Sequence, residues 1–247
     1  KKEVITELPD KIEQNMILPF SDEEEKIYVA NLAKANKELQ ELYDIEGSDK
    51  MQILKLLTRL RQLCLEPRLV YDNIDQPSSK LKACMELIKT MQENKQKVLL
   101  FSSFTSVLDL IAEECQKAGI TYYMLTGSTN KEERRELVSR FQKDDTTLFL
   151  ISLKAGGTGL NLTSAENVIH YDPWWNVSAQ NQATDRAYRI GQKNNVQVFN
   201  LVMKDSVEEK IIEMQKRKKE LADMFVENNS GGLSQMSKED ILSLFTM

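Results

Sequence analysis

The chain of 247 residues contains few of the residues that build metal sites and disulfide frameworks. It has three cysteines, Cys64, Cys84 and Cys115, and a single histidine, His170. The cysteines lie in helix-like segments without metal-ligand spacing, so we expect buried small hydrophobes of a reducing compartment. His170 stands inside the apolar run NVIHY, which predicts a core residue rather than a ligand or a general base. The sequence therefore predicts no metal site.

Long apolar runs and a leader are also lacking. No apolar run reaches the ~18 residues that a membrane-spanning helix needs, and the opening KKEVITELPDKIEQ has no apolar block of a signal peptide. We therefore expect no membrane partner. The first residue is not Met, which favours a piece of a longer protein. The net charge of −5 argues against an overall basic footprint for nucleic acid, although a local basic face is compatible with it.

The two ends of the chain have helical patterns. Residues 1–80 are predicted to be a mainly helical segment, in which Ser21 and Glu24 form a capping box and Pro67 stops a second helix. Residues 204–247 are predicted to contain a long packing helix, a flexible linker and a short amphipathic helix. The seam of the long helix is expected to comprise Val207, Ile211, Met214, Leu221 and Phe225.

Between these ends, residues 81–203 alternate short apolar runs with helical segments. The runs are KVLLFS (97–102), TYYMLT (121–126), TLFLIS (147–152), NVIHY (167–171) and VQVFNLV (196–202). Continuous apolar strands indicate a sheet that is covered on both faces, and strand–helix alternation indicates right-handed crossovers and a parallel sheet. The fold class is therefore α/β. Ligands of such sheets gather at the carboxyl ends of the strands, so the polar motifs that follow the strands should meet at one edge.

One of these motifs is a glycine loop, KAGGTGLN, directly after a predicted strand. Glycines let a backbone approach a phosphate and present amide donors to it. The spacing matches neither a Walker A loop nor a dinucleotide-binding loop, and Lys154 precedes the glycines. Taken alone, the loop is equally typical of a tight structural turn.

Another motif, QNQATDRAYRIGQ, places Arg186 and Arg189 three residues apart, on one predicted helix face. A guanidinium is always charged and presents a planar fork of donors that suits a phosphate. Taken alone, this cluster is more typical of a solvated surface with salt bridges. The combination and order of the motifs change that interpretation.

The ordered segments KVLLFSSFTSVLDLI, YYMLTGSTNKEERRELVSRFQ and LFLISLKAGGTGLNLTSAENVIHYDPWWNVSAQNQATDRAYRIGQ resemble the second RecA-like lobe of SWI/SNF-type DNA-dependent ATPases of helicase superfamily two. LTRLRQLCLEPRLV resembles the helical segment that precedes this lobe. The resemblance covers most of the chain and is weakest at residues 1–20 and 226–247. It implies a three-layer RecA-like sheet with helices on both faces at 81–203, inter-lobe helices at 1–80 and packing helices at 204–247.

The resemblance also implies roles for individual residues. The expected arginine fingers, which reach ATP, are Arg186 and Arg189. The expected nucleotide-facing edge consists of Gly157, Gly159, Gln182 and Asp185. The expected contacts with DNA are Ser102, Ser103, Thr126, Gly127, Ser128, Arg134, Ser152, Lys154 and Trp175. Trp174 is expected to be a buried aromatic wedge. The chain departs from many relatives at Tyr188, where they carry His, and at Val177, where they carry Pro.

Part of the ATPase is missing from the sequence. No Walker A motif occurs, and the acidic cluster SDEEEK begins a helix rather than ending a strand, as a Mg²⁺-binding Walker B motif would. The resemblance implies that ATP and Mg²⁺ are held mainly by a first RecA-like lobe of the same polypeptide. It also implies double-stranded DNA as a partner, with a DNA-bound protein as a further target, and an isolated chain that is inactive in ATP hydrolysis.

Two alternatives are compatible with the sequence: the second lobe of an RNA helicase, and a non-catalytic protein-interaction module. DPWWN and RIGQ speak against the first, and the phosphate-facing residues against the second. The ending LSQMSKEDILSLF looks like that of bacterial members. It favours a cytoplasmic protein of the nucleoid over a nuclear one.

Overall fold

The structure is a computed structural model that describes residues 9–43, 50–156, 160–174, 176–224 and 244–245. Strands and helices alternate over most of these ranges. The strands are β1 (Lys11–Leu18), β2 (Val98–Ser102), β3 (Tyr122–Leu125), β4 (Leu148–Ser152), β5 (Asn167–His170) and β6 (Val196–Met203). The α-helices are α1 (Asp22–Tyr43), α2 (Lys50–Leu65), α3 (Ser79–Glu93), α4 (Thr105–Lys117), α5 (Lys131–Phe141), α6 (Leu153–Gly156), α7 (Val177–Thr184) and α8 (Val207–Met224), and a 3₁₀ turn spans Pro67–Leu69.

The six strands form one sheet in the order β1-β6-β5-β2-β4-β3. Strand β2 lies at its centre, where Phe101 is in register with Ile151 of β4 and with His170 of β5, both in parallel. Every residue of β2, β4 and β5 is buried, as expected for a parallel sheet that is covered on both faces. The predicted α/β fold class is confirmed, and so are the five predicted strands.

Strand β1 was not predicted, because residues 1–80 were expected to be mainly helical. It lies at the edge of the sheet, and the N–H of Val196 donates to the carbonyl of Asp10 at 2.9 Å. At the other end of the strand, the N–H of Lys204 donates to the carbonyl of Leu18 at 2.8 Å. Most of its side chains are exposed. Its backbone is ordered by pairing with β6, which is distant in sequence, so local composition carried little signal for it.

The chain divides into two compact units. One combines Lys1–Met16 with Ala83–Leu201, and the other combines Ile17–Lys82 with Val202–Met247. The core of the first unit contains Phe101, Phe141 and Phe149, and the rings of Phe141 and Phe149 are 5.1 Å apart between centroids. This core supports the sheet from which the candidate site is built.

The second unit packs α1, α2 and α8 against one another. The capping box at the start of α1 is confirmed: the N–H of Ser21 donates to Glu24 Oε2 at 2.7 Å, and the N–H of Glu24 donates to Ser21 Oγ at 3.4 Å. The predicted seam of α8 is buried at Val207, Ile211 and Met214. The Leu221 side chain, Phe225 and most of the predicted short helix lie outside the described residues.

The three cysteines are buried and free, as predicted. Burial raises the pKa of the Cys64 thiol and raises that of Cys115 to about 12, so both are inert small hydrophobes at neutral pH. Within the described ranges, none of the helices combines the length and the apolar character that crossing a bilayer requires.

Candidate functional site

The carboxyl ends of β2, β4 and β5 lie at one edge of the sheet, because these strands are parallel and in register. The segments that follow them contact one another there. Asp172, after β5, accepts hydrogen bonds from the end of β2, and α6, after β4, accepts them from two arginines. The predicted meeting of the polar motifs at one edge is therefore confirmed.

The end of β2 is held by a buried carboxylate. Ser102 Oγ donates to Asp172 Oδ1 at 2.7 Å, and the N–H of Ser103 donates to the same oxygen at 3.0 Å. The hydroxyl of Ser103 donates to Asp172 Oδ2. Ser102 is fully buried and Ser103 is half-buried. Two of the predicted DNA-contacting serines are thus tied to an internal acid, and Ser102 is not at the surface.

Sequence reasoning missed Asp172. A signal was available in YDPWW: an acidic residue directly after a continuous apolar strand lies at the carboxyl end of that strand. The predicted role of the neighbouring Trp174 fits the structure, since its partly buried ring packs against the hydrophobic core. Trp175 lies outside the described residues.

The turn after β3 presents hydroxyl groups to solvent. Thr126 Oγ1 and Ser128 Oγ are 2.8 Å apart and hydrogen bonded, and Gly127 and Ser128 are exposed. The side chain of Asn130 caps the helix that follows, by accepting from the N–H groups of Glu132 and Glu133. This turn therefore offers exposed donors beside the beginning of α5.

The short helix α6 follows β4 directly. Ser152 Oγ is buried and accepts from the N–H of Ala155 at 3.4 Å, while Lys154 is exposed. A Cβ on Gly156 would lie 3.0 Å from Phe101 Cε1, so a larger residue would require the Phe101 ring to move by a few tenths of an ångström. Gly157 and Gly159 lie outside the described residues.

The two candidate finger arginines do not lie on a helix, contrary to the prediction. Helix α7 ends at Thr184, and the chain continues in tight turns in which the N–H of Arg186 donates to the carbonyl of Ala183 and that of Arg189 to the carbonyl of Ala187. Ala183 and Ala187 are both buried, so these turns pack against the core. Arg189, Asp185 and Gln182 are exposed, whereas Arg186 is half-buried.

Arg186 is linked to both sides of the glycine loop. Its Nε donates to the carbonyl of Gly156 at 3.1 Å, and its own carbonyl accepts from the N–H of Leu162 at 3.0 Å. Burial, followed by the charge of Arg189, lowers the pKa of the Arg186 guanidinium. Arg134, a predicted DNA contact, donates from Nη2 to the carbonyl of Ala155 at 2.5 Å.

Buried glutamines lie at both ends of the segment 180–192, which contains Arg186 and Arg189 and is called the arginine segment below. Gln192 Nε2 donates to the carbonyls of Ala165 and Ala187 at 2.7 and 3.2 Å, and its Oε1 accepts from the N–H groups of Lys193 and Asn194. At the other end, Gln180 Nε2 donates to Asn200 Oδ1 at 2.9 Å. The sequence showed these glutamines only as part of a polar cluster, since nothing local reveals that they are buried.

The donors at this edge suit a phosphate better than a metal ion. Exposed guanidinium, ammonium and hydroxyl groups are all present, and they donate to anions. Among the described residues, no group of three or more His, Cys, Asp or Glu could hold a metal ion. The edge can therefore contact phosphates that another part of a protein positions.

Comparisons with known proteins identify this arrangement. The family model of the helicase conserved C-terminal domain matches residues 79–191. An uncharacterized ATP-dependent helicase of Mycoplasma pneumoniae is 35% identical over 99% of this chain and 24% of its own length. The putative ATP-dependent helicase/translocase YwqA of Bacillus subtilis is 35% identical over 100% of this chain and 27% of its own length. The ISWI chromatin-remodeling complex ATPase ISW1 of Saccharomyces cerevisiae is 33% identical over 99% and 23%.

Solved structures agree with the sequence relatives. The Sulfolobus solfataricus SWI2/SNF2 ATPase core domain has a TM-score of 0.78 and 31% identity, over 99% of this chain and 50% of that chain. The same core in complex with dsDNA has a TM-score of 0.77 and 30% identity, over 99% and 52%. The C-terminal domain of the Sulfolobus solfataricus SWI2/SNF2 ATPase alone has a TM-score of 0.73 and 25% identity, over 95% and 98%.

The fold and the site together define a RecA-like lobe of a helicase. More specifically, the chain belongs to the SWI/SNF-type ATP-dependent helicases and corresponds to their C-terminal lobe. It spans about a quarter of the length of the curated relatives that it matches. These relatives come from both bacteria and a eukaryote, so the expectation of a bacterial source gains no support.

Proposed function

We propose that this chain is the half of an ATP-dependent double-stranded DNA translocase or remodeller that supplies arginine fingers and part of the DNA track. The observation that carries the proposal is the position of Arg189, which is exposed beside the half-buried Arg186 in the segment that contacts the glycine loop. The similarity to a SWI2/SNF2 core that was solved with dsDNA supports the choice of DNA.

The nucleotide half of the proposal assigns ATP and Mg²⁺ mainly to a first lobe of the same polypeptide. ATP bound there supplies the phosphoryl group for hydrolysis. Arg186 and Arg189 stabilise the negative charge on that group when the lobes close, and Gln182 and Asp185 lie beside them on the exposed side of the segment. Gly157 and Gly159, which lie outside the described residues, are proposed to contact the nucleotide as well.

The DNA half of the proposal uses the exposed donors of the sheet edge. Gly127, Ser128 and Lys154 are exposed, and the neighbouring Thr126 is half-buried. Such donors hold backbone phosphates without reading base edges, which suits a motor that moves along any sequence. The sequence also predicts Ser102, Ser103, Arg134, Ser152 and Trp175 for this track. Ser102 and Ser152 are buried, so their proposed role is to support the track through their hydrogen bonds to Asp172 and Ala155. Arg134 donates to the carbonyl of Ala155, so its proposed role in the track is indirect.

The fingers are tested in the full-length protein, with both lobes, by Arg189→Ala. Loss of the guanidinium removes stabilisation of the transferred group, so we expect DNA-stimulated ATP turnover to fall by about 10³-fold or more. The affinity for duplex DNA, measured by fluorescence anisotropy, should change less than about twofold, because a finger contacts nucleotide and not DNA. Turnover equal to that of the unaltered protein would reject the finger role.

Lys154→Ala is the matched variant for the DNA half. Loss of a phosphate contact should weaken duplex DNA binding and reduce the slope of log affinity against log salt by about 0.9. Turnover at saturating DNA should be retained. An unaltered slope would show that Lys154 does not contact DNA phosphates. In the unaltered protein, stronger stimulation of ATP turnover by RNA than by duplex DNA would assign the lobe to an RNA helicase instead.

The proposed partners follow from the two halves: duplex DNA, the first lobe of the same polypeptide, and a DNA-bound protein that translocation displaces. The proposed location is the nucleoid in a bacterium or the nucleus in a eukaryote. Both places contain duplex DNA, whose backbone phosphates the exposed donors are proposed to bind.

A further inference from the structure

Arg134 and Arg186 donate to consecutive carbonyl groups, although they are far apart in sequence. Arg134 Nη2 contacts the carbonyl of Ala155 and Arg186 Nε contacts that of Gly156. We infer that Arg134 is a positioning residue for the arginine segment, which with Arg186 clamps the end of α6 and thereby sets the site that the fingers occupy. This inference rests on the proposed function, and it changes the expected role of Arg134 from a direct DNA contact.

The end of α6 is a suitable point for two cations. The last carbonyls of a helix have no partner within the helix and carry partial negative charge. Ala155 and Gly156 are the last two residues of α6, and both are buried. Their carbonyls therefore require donors from elsewhere in the chain, and two guanidinium groups supply them.

The end of α6 that carries the clamped carbonyls packs against the core. Gly156 lies against the ring of Phe101, where even a Cβ would approach Cε1 to 3.0 Å. On the other side of the loop, the N–H of Leu162 donates to the carbonyl of Arg186. Because Arg186 is hydrogen bonded to Gly156 and to Leu162, its position depends on where the end of α6 lies.

Arg134 also connects this point to a different part of the sheet edge. It belongs to α5, which begins just after the hydroxyl turn Thr126–Ser128. A shift of that turn or of α5 would move the guanidinium of Arg134 and, through the two adjacent carbonyls, Arg186. The clamp therefore joins the proposed DNA-facing turn to the proposed nucleotide-facing arginines.

The two guanidinium groups repel each other, and the charge of Arg134 is among those that lower the pKa of Arg186. The two guanidinium groups nevertheless lie close to each other, because each donates a hydrogen bond to a carbonyl at the end of α6. Removal of Arg134 would leave the carbonyl of Ala155 without this donor and would release Arg186 from a repulsive neighbour, so Arg186 should shift.

The test uses the full-length protein with both lobes and the variant Arg134→Gln. A positioning role predicts that the maximal ATPase rate at saturating duplex DNA falls about 10- to 100-fold, since small displacements of catalytic groups have effects of this size. Duplex DNA affinity and its salt slope should stay within twofold of the unaltered protein. Arg135→Gln, which removes the same charge from the exposed neighbour on α5, is the control and should retain the maximal rate.

Two further variants keep the test decisive. Arg134→Gln combined with Arg186→Gln should be less than twofold slower than Arg186→Gln alone, because both side chains act on the same end of α6. Gly156→Ala, which perturbs that end from the side of Phe101, should show the signature of Arg134→Gln, with a lower maximal rate and unchanged DNA affinity. If Arg134→Gln does not fold, as judged by its thermal unfolding, Arg134→Lys takes its place and should still lose maximal rate.

A maximal rate equal to that of the unaltered protein, together with weaker DNA binding and a shallower salt slope, would overturn the inference and make Arg134 a phosphate contact. Multiplicative losses in the double variant would also overturn it. Failure of the proposed function gives a different result: full turnover in Arg189→Ala, or no stimulation of the unaltered protein by DNA.

Discussion

At the scale of single residues, the site is built on buried polar side chains with defined partners, and His170 shows how such a residue is fixed. His170 Nε2 lies 2.9 Å from Thr184 Oγ1, which itself donates to the carbonyl of Gln180. Thr184 must therefore accept from His170, which makes the neutral ring the Nε2–H tautomer. Nδ1 is buried, and it has no hydrogen-bond partner among the described residues. A proton on Nδ1 would therefore be buried without an acceptor.

His170 makes stability depend on pH. Burial lowers its pKa to about 4, although Glu13 and Asp172 act in the opposite direction and Lys11 in the same one. Because the pKa is lower in the folded chain, the unfolded chain binds more protons below about pH 6.5, and stability falls as the pH is lowered towards 4. From pH 7 to pH 5 this component amounts to roughly 2 kcal/mol.

The expected difference is measured by urea unfolding of the chain and of His170→Gln at pH 7 and pH 5. The unaltered chain should lose more unfolding free energy over this interval, by roughly 2 kcal/mol, than the variant does. Carboxylates contribute equally to both proteins, so the comparison isolates His170. Equal losses would show that His170 does not titrate as its burial requires.

At the scale of elements, an ion pair joins the first turns of α3 and α8. Lys80 Nζ lies 2.7 Å from Glu208 Oε1 and 2.8 Å from Oε2, and both side chains are essentially unexposed. Glu208 Oε2 also accepts from the N–H of Met203 at 2.8 Å. Because burial of a single charge costs several kcal/mol, each of these side chains needs the opposite charge of the other. The first turns of α3 and α8 therefore stabilise each other.

Removal of one partner should therefore cost more than removal of both charges. Lys80→Met should lower the unfolding free energy by about 3–5 kcal/mol, because it removes the opposite charge beside a buried carboxylate. Lys80→Met combined with Glu208→Gln should be more stable than Lys80→Met alone, since the Gln amide oxygen can still accept from Met203 without a charge. Chemical denaturation of the two variants measures the difference, and a double variant less stable than the single one contradicts this account.

At the scale of the whole molecule, the chain corresponds to the C-terminal lobe of longer relatives. Its relatives are about four times as long, and a solved C-terminal domain of Sulfolobus solfataricus matches it over 95% of this chain and 98% of that one. In the proposed function, the groups that hold ATP and Mg²⁺ belong to the other lobe.

The chain by itself should consequently hydrolyse ATP no faster than the uncatalysed background. A coupled assay of released phosphate, with and without duplex DNA, measures this. Addition of the first lobe as a separate polypeptide is the matched arm, and it should restore part of the DNA-stimulated rate if the two associate. Strong DNA-stimulated turnover by the 247-residue chain alone would contradict the proposed division of the active site.

The local sequence was sufficient for the elements whose signals are local. Continuous apolar runs predicted five strands of the parallel sheet, and the capping box of Ser21 and Glu24 predicted the beginning of α1. The parallel arrangement then predicted that the motifs meet at one edge. The order of the motifs also indicated the family, because long specific segments such as AGGTGLNLT and QATDRAYRIGQ need no knowledge of their neighbours in space.

Features that depend on partners distant in sequence become visible only in the folded chain. Strand β1 pairs with β6 at the edge of the sheet, and the arginines lie in turns that follow the end of α7. Asp172 beneath Ser102 and Ser103 is a pairing of the same kind. A buried polar group must find its partner, and folding rather than local composition determines which partner is near. The sequence alone thus predicts five of the six strands and the family, whereas the contacts that hold the arginines form only when distant segments meet.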